Sequence, residues 1–343
     1  KWTKKDPNDM LKAGLLKQFS SDFWNARDYI ATGIKSSKDA LDGVKEFLTA
    51  PKITLPPQLH RVQEAMRGGI KSSGCIGNII ADTSIGKSLL SDTCLYHWIL
   101  RCDIVPVIVS IERTAEEFTA DMLSMHLKKN LVWFKDGQDA VDYLEREDVI
   151  KFYKDMITDE YGVPRFHVID DRDGSLETLQ TKMEIAAGKY GTDMFVIDPL
   201  TDILRSLGLD AQENHMMWQK YKKKEGWKII NVLHSRKPST DKDGKLRKTT
   251  EYDALGSGTF VQSADWNWVL NRNKMSDDHI ERNTMIFDMP KCRGGTTGHI
   301  TDLYYCAESR QQHDKEDYFN GVTEEVSEKF KEEQIKDDKF ETF

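Results

Sequence analysis

Short apolar runs punctuate this chain at residues 76–81, 104–111, 166–169, 194–198, 229–233, 266–270, 284–289 and 299–305. Runs of this length predict strands, and the β-branched run at 104–111 predicts one that is fully buried. Between them apolar residues return every three or four positions. That spacing predicts helices after Ser88 and over 115–129, 138–159, 175–190 and 214–225. Residues 201–214 read as a polar loop. Strand and helix alternate, so the expected fold class is α/β with a mostly parallel central sheet.

The two ends differ from this middle. Met10, Leu11, Leu15, Phe19, Phe23 and Trp24 recur at helical steps. They predict a helix that packs either on its own domain or, as an arm, on a neighbouring subunit. Residues 31–50 predict a second short helix. Pro51, Pro56 and Pro57 then break regularity. The expected divisions are a helical arm at 1–54, the α/β domain at 55–307 and a tail at 308–343. The tail holds 12 Asp and Glu against 6 Lys and Arg, so most of the excess negative charge sits there. It reads as a disordered acidic tail with spaced phenylalanines, or as a helix over 322–336, and in either form as a docking segment for a partner protein.

The densest chemistry lies at residues 81–88, A-D-T-S-I-G-K-S. An apolar strand stops at Ala81, a small polar loop follows, and a helix begins. Such a loop aims backbone N–H groups at a phosphate, and the helix N-terminus adds its positive end. Thr83, Ser84, Ile85, Gly86, Lys87, Ser88 and Leu89 are the candidate nucleotide contacts. Lys87 supplies charge to the outer phosphates, and Ser88 can ligate Mg²⁺. The pattern G-x-x-x-x-G-K-[ST] is met except at its first glycine, where Ala81 stands.

Other strand ends carry further candidates. Glu112 follows the run at 104–111. A carboxylate there can orient an attacking water, or it can cap the next helix. Thr114 with Glu117 resembles a capping box and fills that second role better. Asp198 ends an apolar run, the pattern of an acid that holds Mg²⁺. His234 ends another and could sense the outer phosphate, or be an ordinary hydrogen-bonded loop residue. The stretch beyond it is basic: Arg236, Lys237, Lys242, Lys245, Arg247 and Lys248 suit a nucleic-acid backbone, with an ordinary charged hairpin as the alternative. Lys220, Lys222, Lys223 and Lys224 read as a solvated helix face. Arg293, before Gly294 and Gly295 at a strand end, is placed to reach a neighbour's nucleotide, or is simply a turn arginine.

Composition adds bounds. At 343 residues with 38% hydrophobic content, the chain can form one large domain with an appendage. The net charge of −8 gives no sign of a nucleic-acid partner, so such binding would need a local basic groove. Five cysteines without C-x-x-C spacing read as reduced thiols in a cytosol-like compartment. No stretch approaches the roughly 20 apolar residues of a membrane span, and no signal peptide is evident. A start at Lys1 suggests a fragment of a longer protein.

Taken in order, A-D-T-S-I-G-K-S, S-I-E-R-T, V-I-D-P, N-V-L-H, G-S-G-T-F-V-Q-S-A-D and K-C-R-G-G-T-T-G resemble a RecA-type helicase domain. The set is most similar to the phage bifunctional primase–helicases, with Twinkle and DnaB-type replicative helicases more distant. It covers roughly residues 55–307. The resemblance implies a RecA-like P-loop NTPase fold and a homo-hexameric ring, with ATP (or dNTP) and Mg²⁺ bound at subunit interfaces. It implies single-stranded DNA in a central channel, 5′-to-3′ movement, and a polymerase or primase as the tail's partner in the host cytosol. Carried over residue by residue, Lys87 and Ser88 bind phosphates and Mg²⁺, Glu112 is the catalytic base, Asp198 the metal-holding acid and His234 the phosphate sensor. Gln262 links nucleotide state to the DNA loops. Arg293 is an arginine finger given in trans, with Lys291 beside it, and Arg272 and Tyr305 flank the base. The chain departs from the family at Ala81 and at Leu255, where an arginine is usual. Two rival readings are a recombination or repair ATPase that forms filaments and a nucleotide-binding scaffold without efficient hydrolysis.

Overall fold

The structure, a computed structural model, describes residues 6–19, 36–170, 175–205, 207–236, 247–256, 258–307 and 309–321. The chain divides into two compact units, Lys1–Ala50 and Pro51–Phe343. In the first, α1 (Pro7–Lys12) is capped by Asp6, whose carboxylate accepts from Asp9 N at 2.8 Å. The continuous helix expected here is interrupted at Ala13 and Gly14, where Gly14 turns left-handed (φ 70°), and residues 16–19 are helical again. A second helix, α2, spans Ser37–Thr49.

The second unit is built on strands β1 (Lys52–Ile53), β2 (Ile70–Lys71), β3 (Cys75–Ala81), β4 (Val107–Ser110), β5 (His167–Ile169), β6 (Met194–Asp198), β7 (Lys228–His234), β8 (Trp266–Asn271), β9 (Thr284–Cys292), β10 (Gly298–Cys306) and β11 (Gln311–Asp314). Its helices are α3 (His60–Ala65), α4 (Lys87–Arg101), α5 (Ala115–His126), α6 (Gly137–Leu144), α7 (Glu147–Ile157), α8 (Leu176–Tyr190), α9 (Leu200–Arg205), α10 (Leu209–Lys224), α11 (Gly258–Ser263), α12 (His279–Asn283) and α13 (Lys315–Phe319). β1 and β2 form a small antiparallel pair. The other strands form one sheet in the order β11-β10-β9-β8-β3-β7-β6-β4-β5. From β8 to β5 the neighbours are parallel, and from β8 to β11 they are antiparallel.

Residues alternate between two apolar layers along each parallel strand. On β3 and β6, Ile79, Ala81, Met194 and Val196 face the layer that holds Leu90, Leu95 and Trp98 of α4. Ile76, Ile80, Phe195 and Ile197 face the layer that holds Met183 of α8 and Met216 of α10. Burial on both faces is the reason these runs are uninterrupted in sequence. Gly77 interrupts β3 for a steric reason: a Cβ there would come 2.0 Å from the Trp266 ring on β8.

Several expectations are corrected. The helix foreseen over 138–159 is two, because Arg146 takes an extended conformation (ψ 135°) and pairs with Asp148 ahead of the restart at Glu147. The polar loop foreseen over 201–214 is largely α9 and the start of α10, drawn in by buried Leu200, Ile203 and Leu204. Lys222 and Lys223 are not a solvated face. Lys222 pairs with Glu184 and Glu225 at 3.0 Å each, and Lys223 pairs with the nearly buried Asp265 at 2.6 Å. The sheet runs past the boundary expected at 307: β11 zips onto β10, and Tyr318 and Phe319 of α13 pack on Tyr304. The helix foreseen over 322–336 lies outside the described residues.

Candidate nucleotide site

β3 delivers the chain to the phosphate loop at Ala81, which is 0% exposed. Ala81 is not among the residues with positive φ, so its backbone does not require glycine. The left-handed positions of the loop are Ser84 (φ 61°) and Gly86 (φ 118°), and Gly86 opens α4. Lys87 folds back, donating to the carbonyls of Ala81 (3.0 Å) and Asp82 (2.8 Å). Burial is the main influence on its ammonium and lowers its pKa to about 8, against the pull of Asp198, Glu112 and Asp82. A phosphate would restore the charge that burial disfavours. Ile85 points into the core, so its contribution to a phosphate can only be its backbone.

The adjacent strand tips bring the acids and the histidine to the same edge. β4, β6, β7 and β3 are parallel neighbours, so their C-terminal ends converge. Ser110 stands beside Asp198, and Ala81 beside His234. Glu112 follows β4 and stays free of the helix cap: Thr114 and Glu117 form the reciprocal capping box. Its Oε1 lies 3.3 Å from His234 Nε2. Burial, then Lys87, holds the His234 pKa below its ordinary value, with Glu112 opposing. His234 therefore stays neutral near pH 7. Its backbone N–H donates to Thr201 Oγ1 at 2.7 Å.

Asp198 is 5% exposed, and burial lifts its pKa to about 6 despite Arg113, a hydrogen bond from Ser88 and Lys87. A serine hydroxyl bonded to a carboxylate is a pair of hard oxygen donors, which suits Mg²⁺. Arg113 is a residue that motif reading passed over. Its guanidinium forks onto Asp92 (2.7 and 2.9 Å) and reaches Asp121 (2.9 Å) and Asp198 (3.3 Å). Burial works against this cation, but Asp92, Asp198 and Asp121 outweigh it and raise its pKa. The sequence signal was its place immediately after Glu112. Arg310, on the β10–β11 turn, closes the group by pairing with Asp121 at 2.5 Å.

The turn after β8 touches the loop from the far side. Arg272 donates to the Ser84 carbonyl, and Lys274 donates to the Thr83 carbonyl at 3.0 Å. Lys274 was not foreseen. Burial lowers the Arg272 pKa while Tyr305 opposes, which puts these two residues in one neighbourhood.

Gln262, Lys291 and Arg293 are not brought to this edge. Register sets Cys292 opposite Trp266, and Trp266 beside Gly77, roughly 13 Å of strand before Ala81. There Lys291 donates to the carbonyls of Val261 (3.0 Å) and Gln262 (2.5 Å). Arg293, half exposed, lies 3.9 Å from Asp265. Within one chain, then, Arg293 is remote from the phosphate loop. The basic segment leaves β7 at the nucleotide edge. Arg236 and Lys248 are exposed. Arg247 is paired with Asp253 at 2.9 and 3.1 Å. Lys237, Lys242 and Lys245 lie outside the described residues.

Among the described residues no helix is long and apolar enough to cross a membrane. No protein family and no curated protein matches the sequence. Among solved structures the chain is similar to one titled as an ATPase domain, with a TM-score of 0.65 and 19% identity over 82% of this chain and 99% of that one. At that identity the likeness concerns the fold alone, and with the mostly parallel strand order above it agrees with the RecA-like α/β fold class expected from the sequence.

Proposed function

We propose that this chain is the motor domain of an ATP-driven DNA helicase that moves along single-stranded DNA, as a ring of six copies and in the 5′-to-3′ sense. The observation that carries the reading is the convergence of Lys87, Ser88, Glu112, Asp198 and His234 on one sheet edge, from four strands far apart in sequence. Ser88 and Asp198 would hold Mg²⁺, which when bound would neutralise phosphate charge. Lys87 leaves the Ala81 and Asp82 carbonyls for the outer phosphates. Glu112 accepts the proton of the attacking water, and His234 links it to the bound phosphate. Arg272 and Tyr305 receive the base. The likeness in fold to a protein titled as an ATPase domain supports the NTPase part.

The ring rests on Arg293. It lies at the opposite sheet end from its own phosphate loop and half exposed, which suits a group given to a neighbouring copy's nucleotide. Helices α1 and α2, in the Lys1–Ala50 unit, serve as the arm between copies. The acidic tail docks a replication protein.

The test is ATP turnover by wild type and Arg293→Ala, with and without single-stranded DNA, followed by unwinding of a forked duplex. A trans arginine contributes about 10³–10⁵ in rate. The variant is expected to bind nucleotide normally and turn over negligibly. Full turnover by the variant removes the ring, and absence of DNA stimulation in wild type removes the motor.

A further inference from the structure

The central sheet buries a row of amides among hydrocarbon. Asn78, Asn231 and Asn267 stand side by side on β3, β7 and β8, all 0% exposed. Asn231 Nδ2 donates to Asn78 Oδ1 (3.2 Å), Asn78 Nδ2 to Asn267 Oδ1 (2.8 Å), and Asn267 Nδ2 to Glu251 Oε2 (2.7 Å). In the other direction Gln219 and Asn231 exchange two bonds, at 2.9 and 3.1 Å. Gln219 Nε2 then lies 3.1 Å from Nε2 of His215. Burial lowers the His215 pKa to about 4, so the ring is neutral. Gln180 Nε2 lies 2.9 Å from the other ring nitrogen, Nδ1, and a neutral imidazole accepts from one of these two amides. Amide links to amide from α10, across three strands, to Glu251.

The end of this chain grips something specific. Glu251 opens the 3₁₀ turn Glu251–Asp253, directly after the basic segment returns to the sheet. Asn271, on the same face of β8 as Asn267, accepts from Thr249 N (2.7 Å) and donates to Thr249 O (3.1 Å). The returning limb is thus held at two points on one strand. Asp253, two residues on, takes Arg247. The same amides hold α11: Asn78 donates to Phe260 O and Asn267 to Val261 O, both at 3.1 Å. Plain packing would need none of this. A polar chain in a dry core is tolerated only when its bonds are made, and it then selects one arrangement.

We propose that Glu251 is a positioning residue for the nucleic-acid contacts of Arg247 and Lys248. Docked on Asn267, it fixes the limb that carries them and joins it, through Asn78, to the strand that ends in the phosphate loop. The inference rests on the reading of those basic residues as DNA contacts.

The test uses the full chain with Glu251→Ala and with Glu251→Gln, whose Oε1 can accept the same bond. Three quantities are measured: ATP turnover without DNA, turnover and affinity with oligo(dT), and hydrogen exchange of the peptide covering 247–255. Glu251→Ala is expected to keep DNA-free turnover and lose exchange protection over 249–254. Its affinity for oligo(dT) should fall about tenfold, the equilibrium effect of losing one bond to a charged group. Glu251→Gln is expected to match wild type. Unchanged protection in Glu251→Ala overturns the anchor, and unchanged oligo(dT) affinity overturns its purpose. Equal impairment in Glu251→Gln assigns the effect to charge and also overturns the proposal. If wild type is not stimulated by DNA, the motor reading fails on its own, and the exchange measurement still decides whether Glu251 is the anchor.

Discussion

Replacing Arg113 with Met keeps an unbranched chain over Phe118 and removes the cation that joins α4, α5 and β6. The guanidinium is 19% exposed and faces Asp92, Asp121 and Asp198, whose side chains are 0%, 10% and 5% exposed. Removing one partner of a buried ion pair costs about 3–5 kcal/mol, because the remaining charges are left uncompensated. For a domain of this size that lowers Tm by on the order of 10 °C. The loss should depend on pH. In the native protein Asp198 titrates near 6, against 3.8 when exposed. Its folded pKa is raised, so the fold is favoured below about pH 4, and that benefit is lost as pH rises through 6. Arg113 is the largest influence that opposes this rise, and without it the window extends further upward. The deficit of Arg113→Met should therefore be greatest at pH 8 and smaller by about 1–2 kcal/mol at pH 5, where the carboxyl holds a proton. Urea unfolding followed by tryptophan fluorescence, without nucleotide, measures it. A deficit under about 1 kcal/mol at pH 8, or an equal deficit at both pH values, refutes the reasoning.

Two further outcomes follow from single positions. Lys87 titrates near 8 in the free protein, so nucleotide affinity should fall as pH rises above 8, by up to about tenfold per unit. A flat isothermal-titration profile between pH 7 and 9.5 would show that its charge does not matter. Gly77→Ala forces a methyl into the Trp266 ring, and over-packing of this kind costs about 1–3 kcal/mol or more. Coupling it with Trp266→Leu should recover part of the loss in a double-mutant cycle, and simple additivity would deny the clash.

Burial patterns were legible from residue order because a sheet covered on both faces needs uninterrupted apolar strands, and β3, β4, β6 and β7 supply them. The phosphate loop was legible because its chemistry is local: Gly86, Lys87 and Ser88 act within one turn. Capping at Thr114 and Glu117 is local too, and it correctly left Glu112 outside the helix cap. What the linear order could not reveal is partnership across strands. Asn231 and Asn267 lie 153 and 189 residues from Asn78 and look like isolated polar interruptions until register aligns them. Arg113 carried no signal of its own beyond following Glu112, because its partners Asp92 and Asp198 are brought to it only by the packing of α4 and β6. β11 was hidden inside an acidic stretch because its pairing with β10 depends on the hydrogen-bonding edge of that strand rather than on its own hydrophobicity. The separation of Arg293 from the phosphate loop also came only from tertiary structure, because the antiparallel direction of β9 decides which end of the sheet it reaches. Local motifs need only neighbouring residues, whereas polar networks and strand direction depend on groups that folding alone brings within bonding distance.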